Sequence, residues 1–484
     1  MEDAMLESLD ELGTFWIPGR EDDKLSGRLI FNPKESEISL LLVGSFSDAD
    51  SMGMRDVERI FGWVGKKKVT VDRCFTSSSK VSSPGVNSTS IIGNRIFLGA
   101  HIEVDDSSFK AVTLSFSDLG NWASKSGIVY KMDSGRASDV QDEVFSASYV
   151  VPEKELSWFD RGKIILSYRR HCPLRRREIH LEEWPTITIE YATDQPLSSI
   201  WQDVGAVHDL LILCMDGHVA VDRCILESTS LRKQDLAGGN LGPQAIELLD
   251  LPIRYTPPQE RKPRYYHDML LSFEELGGID GVARWIDSHR RFRRSLESFM
   301  SVRHADKIFA ENRFLNVTYA AEAFHRAVYG GKEMEEGSYN AQMDRWLEVT
   351  PEEHHEWLIN RLRYANEPSL NKRLQGLAQS CGSSVRGLIG ERGKWAYTLA
   401  QVRNHLTHLS EESHRFSGEE LNWLSESVYS VVRVCMLLES GVDSSVLDRK
   451  SGSHRMIWYK DHLRQSIKSV RAKLRLGASG SITT

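Results

Sequence analysis

No apolar run in the 484-residue chain reaches the roughly 20 residues that a membrane-crossing helix needs. The opening MEDAMLESLDELG is acidic and lacks the basic start and apolar stretch of a secretory leader. These two absences give a cytoplasmic location and no membrane partner as the expectation. Six cysteines are present, Cys74, Cys172, Cys214, Cys224, Cys381 and Cys435, and no two of them form a CxxC pair. Their spacing supports neither a disulfide framework nor a structural zinc site. There is no GxGxxG fingerprint, no Walker A loop and no HExxH pair, so no nucleotide cofactor and no metal is expected. Adjacent His354-His355 point about 100° apart on a helix and make a poor ligand pair. Net positive charge is also missing: 61 Lys and Arg against 68 Asp and Glu give -7. Bulk-charge binding of duplex nucleic acid is thereby disfavoured, whereas a local basic groove remains compatible.

What the chain does contain is about three domains' worth of ordinary globular composition, with 40% hydrophobic and 27% charged residues. The first half reads as strand. GRLIFNP (27–33), ISLLLVGSF (38–46), SIIGNRIFLGAHI (90–102), FKAVTLSFSDL (109–119), KIILSYR (163–169) and ITIEYAT (187–193) are short apolar runs set off by turn residues. VHDLLILCMDG (207–217) and VAVDRCILES (219–228) read as a hairpin turning at Asp216-Gly217. VDRC occurs at 71–74 and again at 221–224, too short a match to define a repeat.

The grammar changes after Tyr255. PPQERKPRYYH (257–267) reads as a connector, and the segment to about 305 as short helices. From Asp306 the spacing becomes helical. ENRFLNVTYAAEAFHRAVYG (311–330) places apolar residues at 314, 317, 321, 324 and 328. Capping patterns at Thr350-Pro351-Glu352-Glu353 and Ser417-Gly418-Glu419-Glu420 open two further helices. A basic helix covers about 454–475. The expectation is an α+β multidomain chain: a β-rich region over 10–255, a connector with short helices over 256–305, an all-α bundle over 306–476, and a disordered tail over 477–484.

One helical stretch is hard to explain as packing. QVRNHLTH (401–408) crowds an arginine, an asparagine and two histidines between apolar segments. Asn404 and His408, four apart, share a face, whereas Arg403 and His408 lie about 140° apart around the axis. A swung arginine, an irregular helix or a second copy of the helix would be needed to aim both at one atom, and the last option implies a two-fold dimer. The chemistry fits phosphate. Arginine offers a fixed fork of donors to phosphate oxygens. Histidine moves a proton near neutral pH, and RNA brings its own nucleophile in the 2′-hydroxyl. A solvated helix surface is the alternative. His405 shares a face with neither partner, and Thr407 can bond back to the carbonyl of Arg403.

Arg403-Asn404, three residues and then His408 resembles the Arg-x4–6-His motif of HEPN-domain ribonucleases. ENRFLNVTYAAEAFHRAVYG resembles the first helix of that domain, with Glu322 at its recurrent acidic position and Glu311 as the other candidate. RNHLTHL resembles the C-terminal HEPN domain of ApeA-type anti-phage defence proteins, and FWIPGREDDKLSGRLIFNP (15–33) the opening of that family's β-rich N-terminal domain. The likeness covers about residues 10–475. It implies an all-α HEPN-like bundle behind a sensing or regulatory β-rich half. It implies a metal-independent endoribonuclease with Arg403 and His408 as the catalytic pair, Asn404 shaping the site and Glu322 supporting. It also implies a homodimer through the helical domain, RNA (a transfer RNA among the candidates) as the substrate, a phage-derived trigger, and abortive infection through RNA damage. In the last helix Arg464, Lys468, Arg471 and Lys473 are candidate RNA contacts. YRRHCPLRRREIH (168–180) and RWIDSHRRFRRSL (284–296) are two further basic segments. The competing function is a non-catalytic dimeric sensor that recognises a phage protein or nucleic acid.

Overall fold

The structure is a computed structural model. It describes residues 8–32, 37–46, 56–103, 107–134, 143–175, 177–234, 239–250, 269–304, 307–407, 415–451 and 454–480. The chain forms two compact units, Met1–Ala283 and Arg284–Thr484.

Six strands of the first unit close into an antiparallel barrel: β1 (Leu9–Trp16), β2 (Leu25–Asn32), β3 (Glu37–Val43), β4 (Asp56–Val64), β5 (Lys67–Lys80) and β6 (Ser88–Ile92). Alternation sets the faces. Leu29 and Phe31 of β2 and Ile38, Leu40 and Leu42 of β3 point inward, with more exposed residues between them. Closure depends on the length of β5. Its first half pairs with β4, and Phe75 to Lys80 then pairs with Ile92 to Ser88 of β6, across a register shift between Thr76 and Ser78. Phe15, Ile60, Val69, Val71, Ile91 and Ile96 fill the interior with the inward residues of β2 and β3. Phe15 fits because Gly62 has no side chain: a Cβ there would stand 2.5 Å from the Phe15 ring.

From β5 the sheet runs on, antiparallel throughout, through Arg95–Leu98, Asn240–Asp250, Val221–Gln234, Ser108–Phe116, Glu182–Pro196, Gly162–His171 and Glu155–Phe159. The two VDRC copies lie in β5 and in Val221–Gln234. The segment 207–217, expected as a strand of a hairpin, is instead the second half of a helix, Leu197–Met215. A continuous apolar run does not distinguish a buried strand from a buried helix, and 12 of these 19 residues are buried. Asp216 adopts the left-handed conformation, φ 56°, and its N–H donates to the Ile212 carbonyl at 2.8 Å, so Asp216-Gly217 ends a helix rather than turning a hairpin. In the basic segment 168–180, Tyr168–His171 finishes a strand, and Leu174–Arg175 pairs with Glu178–Ile179. The expected connector 257–267 lies outside the described residues.

From Phe273 onward the described chain is helical. In the second unit the 284–296 segment buries Trp285, Phe292 and Leu296, and Arg290, Arg291, Arg293 and Arg294 are exposed. Phe292 meets Phe324 edge-on at 5.2 Å. Phe324 belongs to the first long helix, Ala310–Val328, which also buries Phe314, Val317 and Ala321, the face expected from the spacing. Gly418–Glu439 is the central helix, with 15 buried residues and a reciprocal capping box between Ser417 and Glu420. The second capping pattern does not form. Thr350 donates its hydroxyl to the Trp346 carbonyl at 2.6 Å, closing the helix before it, and a 3-10 turn at Glu352–His354 leads into His355–Leu362. The last helix spans His454–Gly480, and 481–484 lie outside the described residues.

Candidate active site

QVRNHLT forms about the last two turns of the motif helix, Arg392–Thr407. Trp395, Ala396, Leu399, Val402 and Leu406 bury one side of it. The Trp395 indole N–H donates to the Ser427 hydroxyl at 2.9 Å, tying this helix to the central one. The register of those apolar residues decides what is left over. Asn404 is exposed, and Arg403 sits at the edge of the buried side with its side chain 40% accessible. Burying a guanidinium here without a full set of partners would be costly, so the head group reaches the rim.

At the rim Arg403 faces the first long helix. Its Nη2 lies 3.9 Å from Glu322 Oε2, and its Nη1 donates to Asn404 Oδ1 at 3.4 Å. Both contacts are long. Among the described residues these two long contacts are the ones that orient the guanidinium, and they leave it donors that can turn to an incoming anion. Glu322 is shared with Arg326 at 3.6 Å, and Arg326 pairs with Glu367 at 2.8 Å. Glu367 also accepts from the buried Arg373 at 3.1 Å. Charges alternate along this chain, so each acid is held by more than one cation. Glu311 sits in the first turn of the same helix as Glu322, 11 residues earlier.

The network ends on a histidine that must stay neutral. His325 Nδ1 accepts from Arg373 Nη1 at 3.2 Å. Burial, and then the Arg373 charge, push its pKa from 6.5 down to about 4. An unfolded histidine takes up its proton near 6.5. The folded state therefore carries a contribution that is fully present above pH 6.5 and is lost as pH falls towards 4. His325→Gln keeps an acceptor for Arg373 and cannot titrate. The urea midpoint of the wild type is expected to fall more between pH 7 and pH 4.5 than that of His325→Gln. Parallel declines would remove His325 from the acid sensitivity.

The other motif residues divide clearly. Thr407 donates its hydroxyl to the carbonyls of Arg403 and Asn404, both at 3.1 Å, which is the back-bonding expected of it. The His405 ring packs edge-on to buried Phe416 at 5.3 Å, on a different side from Asn404. His408 lies outside the described residues, immediately after the last residue of the helix. In the last helix, Arg464, Lys468 and Arg471 line a groove of about 1350 Å³. Lys473 turns elsewhere: it donates to Glu420 at 2.8 Å, beside the Ser469 hydroxyl at 2.6 Å. Burial alone would raise the Glu420 pKa, but Lys473, Ser469 and the Ser417 N–H together hold it below the usual carboxylate range. The opposite wall of the groove carries Arg386, Arg392 and Lys394, which sequence reasoning missed. They sit in SVRGLIGERGKW, where no helical period marks a shared surface, and only the packing of the last helix brings them opposite Arg464.

A helical unit that gathers an arginine, an amide and a carboxylate at the end of one helix, with a histidine next in sequence, is the arrangement expected of a HEPN-type nuclease. The comparison with family models agrees: an Apea-like HEPN domain matches residues 315–446, which include Glu322, Arg403, Asn404 and His408. The ApeA N-terminal domain 1 matches residues 10–285, more than half of the chain. The chain belongs to the ApeA family, anti-phage proteins with a β-rich N-terminal region and a C-terminal HEPN nuclease domain. No curated protein and no solved structure matches it. Among the described residues, no helix is long and apolar enough to cross a membrane.

Proposed function

We propose that this chain is a metal-independent endoribonuclease that cuts RNA through the RNA's own 2′-hydroxyl. His408 takes the 2′ proton, and the freed O2′ attacks the adjacent phosphorus. The 5′ oxygen of the next nucleotide leaves and picks up a proton. A 2′,3′-cyclic phosphate and a 5′-hydroxyl remain, and no water enters this step. Arg403 stabilises the charge that builds on the non-bridging phosphate oxygens. Asn404 orients the phosphate or the imidazole, and Glu322 steadies Arg403 between turnovers. DNA, without the 2′-hydroxyl, is inert. The observation that carries this reading is the loosely held guanidinium of Arg403, between Glu322 and Asn404 and directed to the rim. Purified chain mixed with total RNA in EDTA should degrade it. A non-catalytic sensor would leave it intact.

The angular separation within the motif favours a composite site formed by two copies related by a two-fold axis through the helical region. Sedimentation at micromolar protein should then give the mass of a dimer, and a monomer with or without RNA would contradict it. In the cell, the β-rich region over 10–255 would hold the nuclease over 306–476 inactive through the intervening segment until a phage-derived trigger arrives. Activation would end phage growth by damaging RNA, with transfer RNA as one candidate, as abortive infection in the cytoplasm. Arg464, Lys468 and Arg471, which line the groove, would meet that RNA, whereas Lys473 is engaged by Glu420.

A further inference from the structure

The exposed side of the motif helix carries an ordered series. Lys394, Tyr397, Gln401 and Asn404 follow one another at spacings of three or four residues, which places them on one face. Residues 395, 396, 398–400 and 402, between them, are buried. Tyr397, in the middle, is 51% exposed, an unusual position for a large ring on an otherwise well-packed helix. One end of the series is the catalytic motif. The other end, Lys394, opens into the basic groove.

That groove is built for several negative charges. Arg386 and Arg392 face Arg464, Lys468 and Arg471 across it, and among the described residues none of these five has an ion-pair partner. Its acidic lining residue, Glu391, is taken up by Lys394. Gly382, Gly390 and Gly393 leave the wall open, since a Cβ at any of them would touch nothing. The first turn of the motif helix adds unpaired N–H groups and the positive end of its dipole. At about 1350 Å³ the groove exceeds the usual range for a small-molecule pocket, about 300–1,000 Å³. So many separated cations also exceed what one phosphate can satisfy. A chain of phosphates fits better.

We propose that this groove holds the backbone of an RNA strand some nucleotides away from the cut. Tyr397 is the stacking surface for a base between groove and motif. The proposal rests on the ribonuclease reading and specifies its substrate as a strand long enough to reach from one end of the motif helix to the other. Lys394 and Asn404 are ten residues apart, about 15 Å along the axis, so a dinucleotide can occupy the motif without touching the groove. These side chains position substrate and take no part in the chemistry.

The test separates binding from cleavage. The probe is a uniformly 2′-O-methylated single strand, which cannot be cut, of about 20 nucleotides, longer than the ~4–16 that typical single-strand sites cover. The combined variant Arg464→Ala, Lys468→Ala, Arg471→Ala should bind it at least about tenfold more weakly and lower the salt slope by about 2, from three contacts at about 0.7 each. Tyr397→Ala should cost about tenfold at every salt concentration without changing the slope, and Tyr397→Phe should bind normally. Arg464→Lys with Arg471→Lys should retain binding, because a point charge serves a phosphate contact. The exposed Arg361→Ala, outside the groove, serves as the charge control. In cleavage assays the triple variant should raise KM for long RNA. Wild-type affinity and slope in the triple variant, or no binding by the wild type, would overturn the proposal. Groove-dependent binding by a chain that cuts nothing would leave the groove standing and sink the nuclease reading instead.

Discussion

His408→Ala is expected to slow RNA cleavage by about 10² to 10⁴, the range for losing a positioned proton-transfer group. The expectation comes from the motif itself, in which His408 stands four residues after Asn404, a spacing that shares a face in a helix. Asn404 is accessible, in line with Lys394, Tyr397 and Gln401. Thermal stability is expected to change much less than turnover. His405→Ala is the internal control. Its ring packs on Phe416, so the substitution should lower stability modestly and leave turnover near normal. Equal activity losses in the two variants would mean that the segment's fold, and not proton transfer, is being tested.

Arg403→Lys is expected to reduce cleavage by about 10² to 10³, comparable to removing one donor from an oxyanion site. Charge is preserved, so a simple attraction to phosphate would survive. What disappears is the planar fork. The ammonium of lysine could still approach Glu322, but it could not donate in parallel to two oxygens of the phosphorane. Because the existing contacts to Glu322 and Asn404 are long, 3.9 and 3.4 Å, losing them should cost little stability at this half-exposed position. A folded, dimeric lysine variant with near wild-type rates would reduce Arg403 to a surface residue.

How much of this was legible in the sequence depends on whether the signal was local. The inward faces of β2 and β3, the apolar side of Ala310–Val328 and the Ser417 capping box all follow from patterns confined to one element. The Leu197–Met215 helix was misread because its second half is apolar all round, and a pattern without contrast has no period. The Thr350 cap failed for a related reason: its hydroxyl could serve either neighbouring helix, and the preceding one holds it. Barrel closure was invisible because it depends on β5 changing partners along its length. In the candidate site, Arg403 and Asn404 could be picked out because a polar cluster in an apolar helix is anomalous in itself, whereas Glu322 came only from the resemblance to the first helix of the HEPN domain. The approach of Glu322 to Arg403, the engagement of Lys473 with Glu420, and the wall formed by Arg386 and Arg392 are contacts between helices far apart in sequence. Composition and spacing carry no record of them.

The most direct test of the central claim is the chemistry of the cut ends. RNA digested by the purified wild-type chain in EDTA should carry a 2′,3′-cyclic phosphate on the upstream fragment and a 5′-hydroxyl on the downstream one. Those ends should form far more slowly with Arg403→Lys and His408→Ala. A 5′-phosphate with a free 3′-hydroxyl, or cleavage that disappears when EDTA is added, would contradict a metal-free attack by the 2′-hydroxyl.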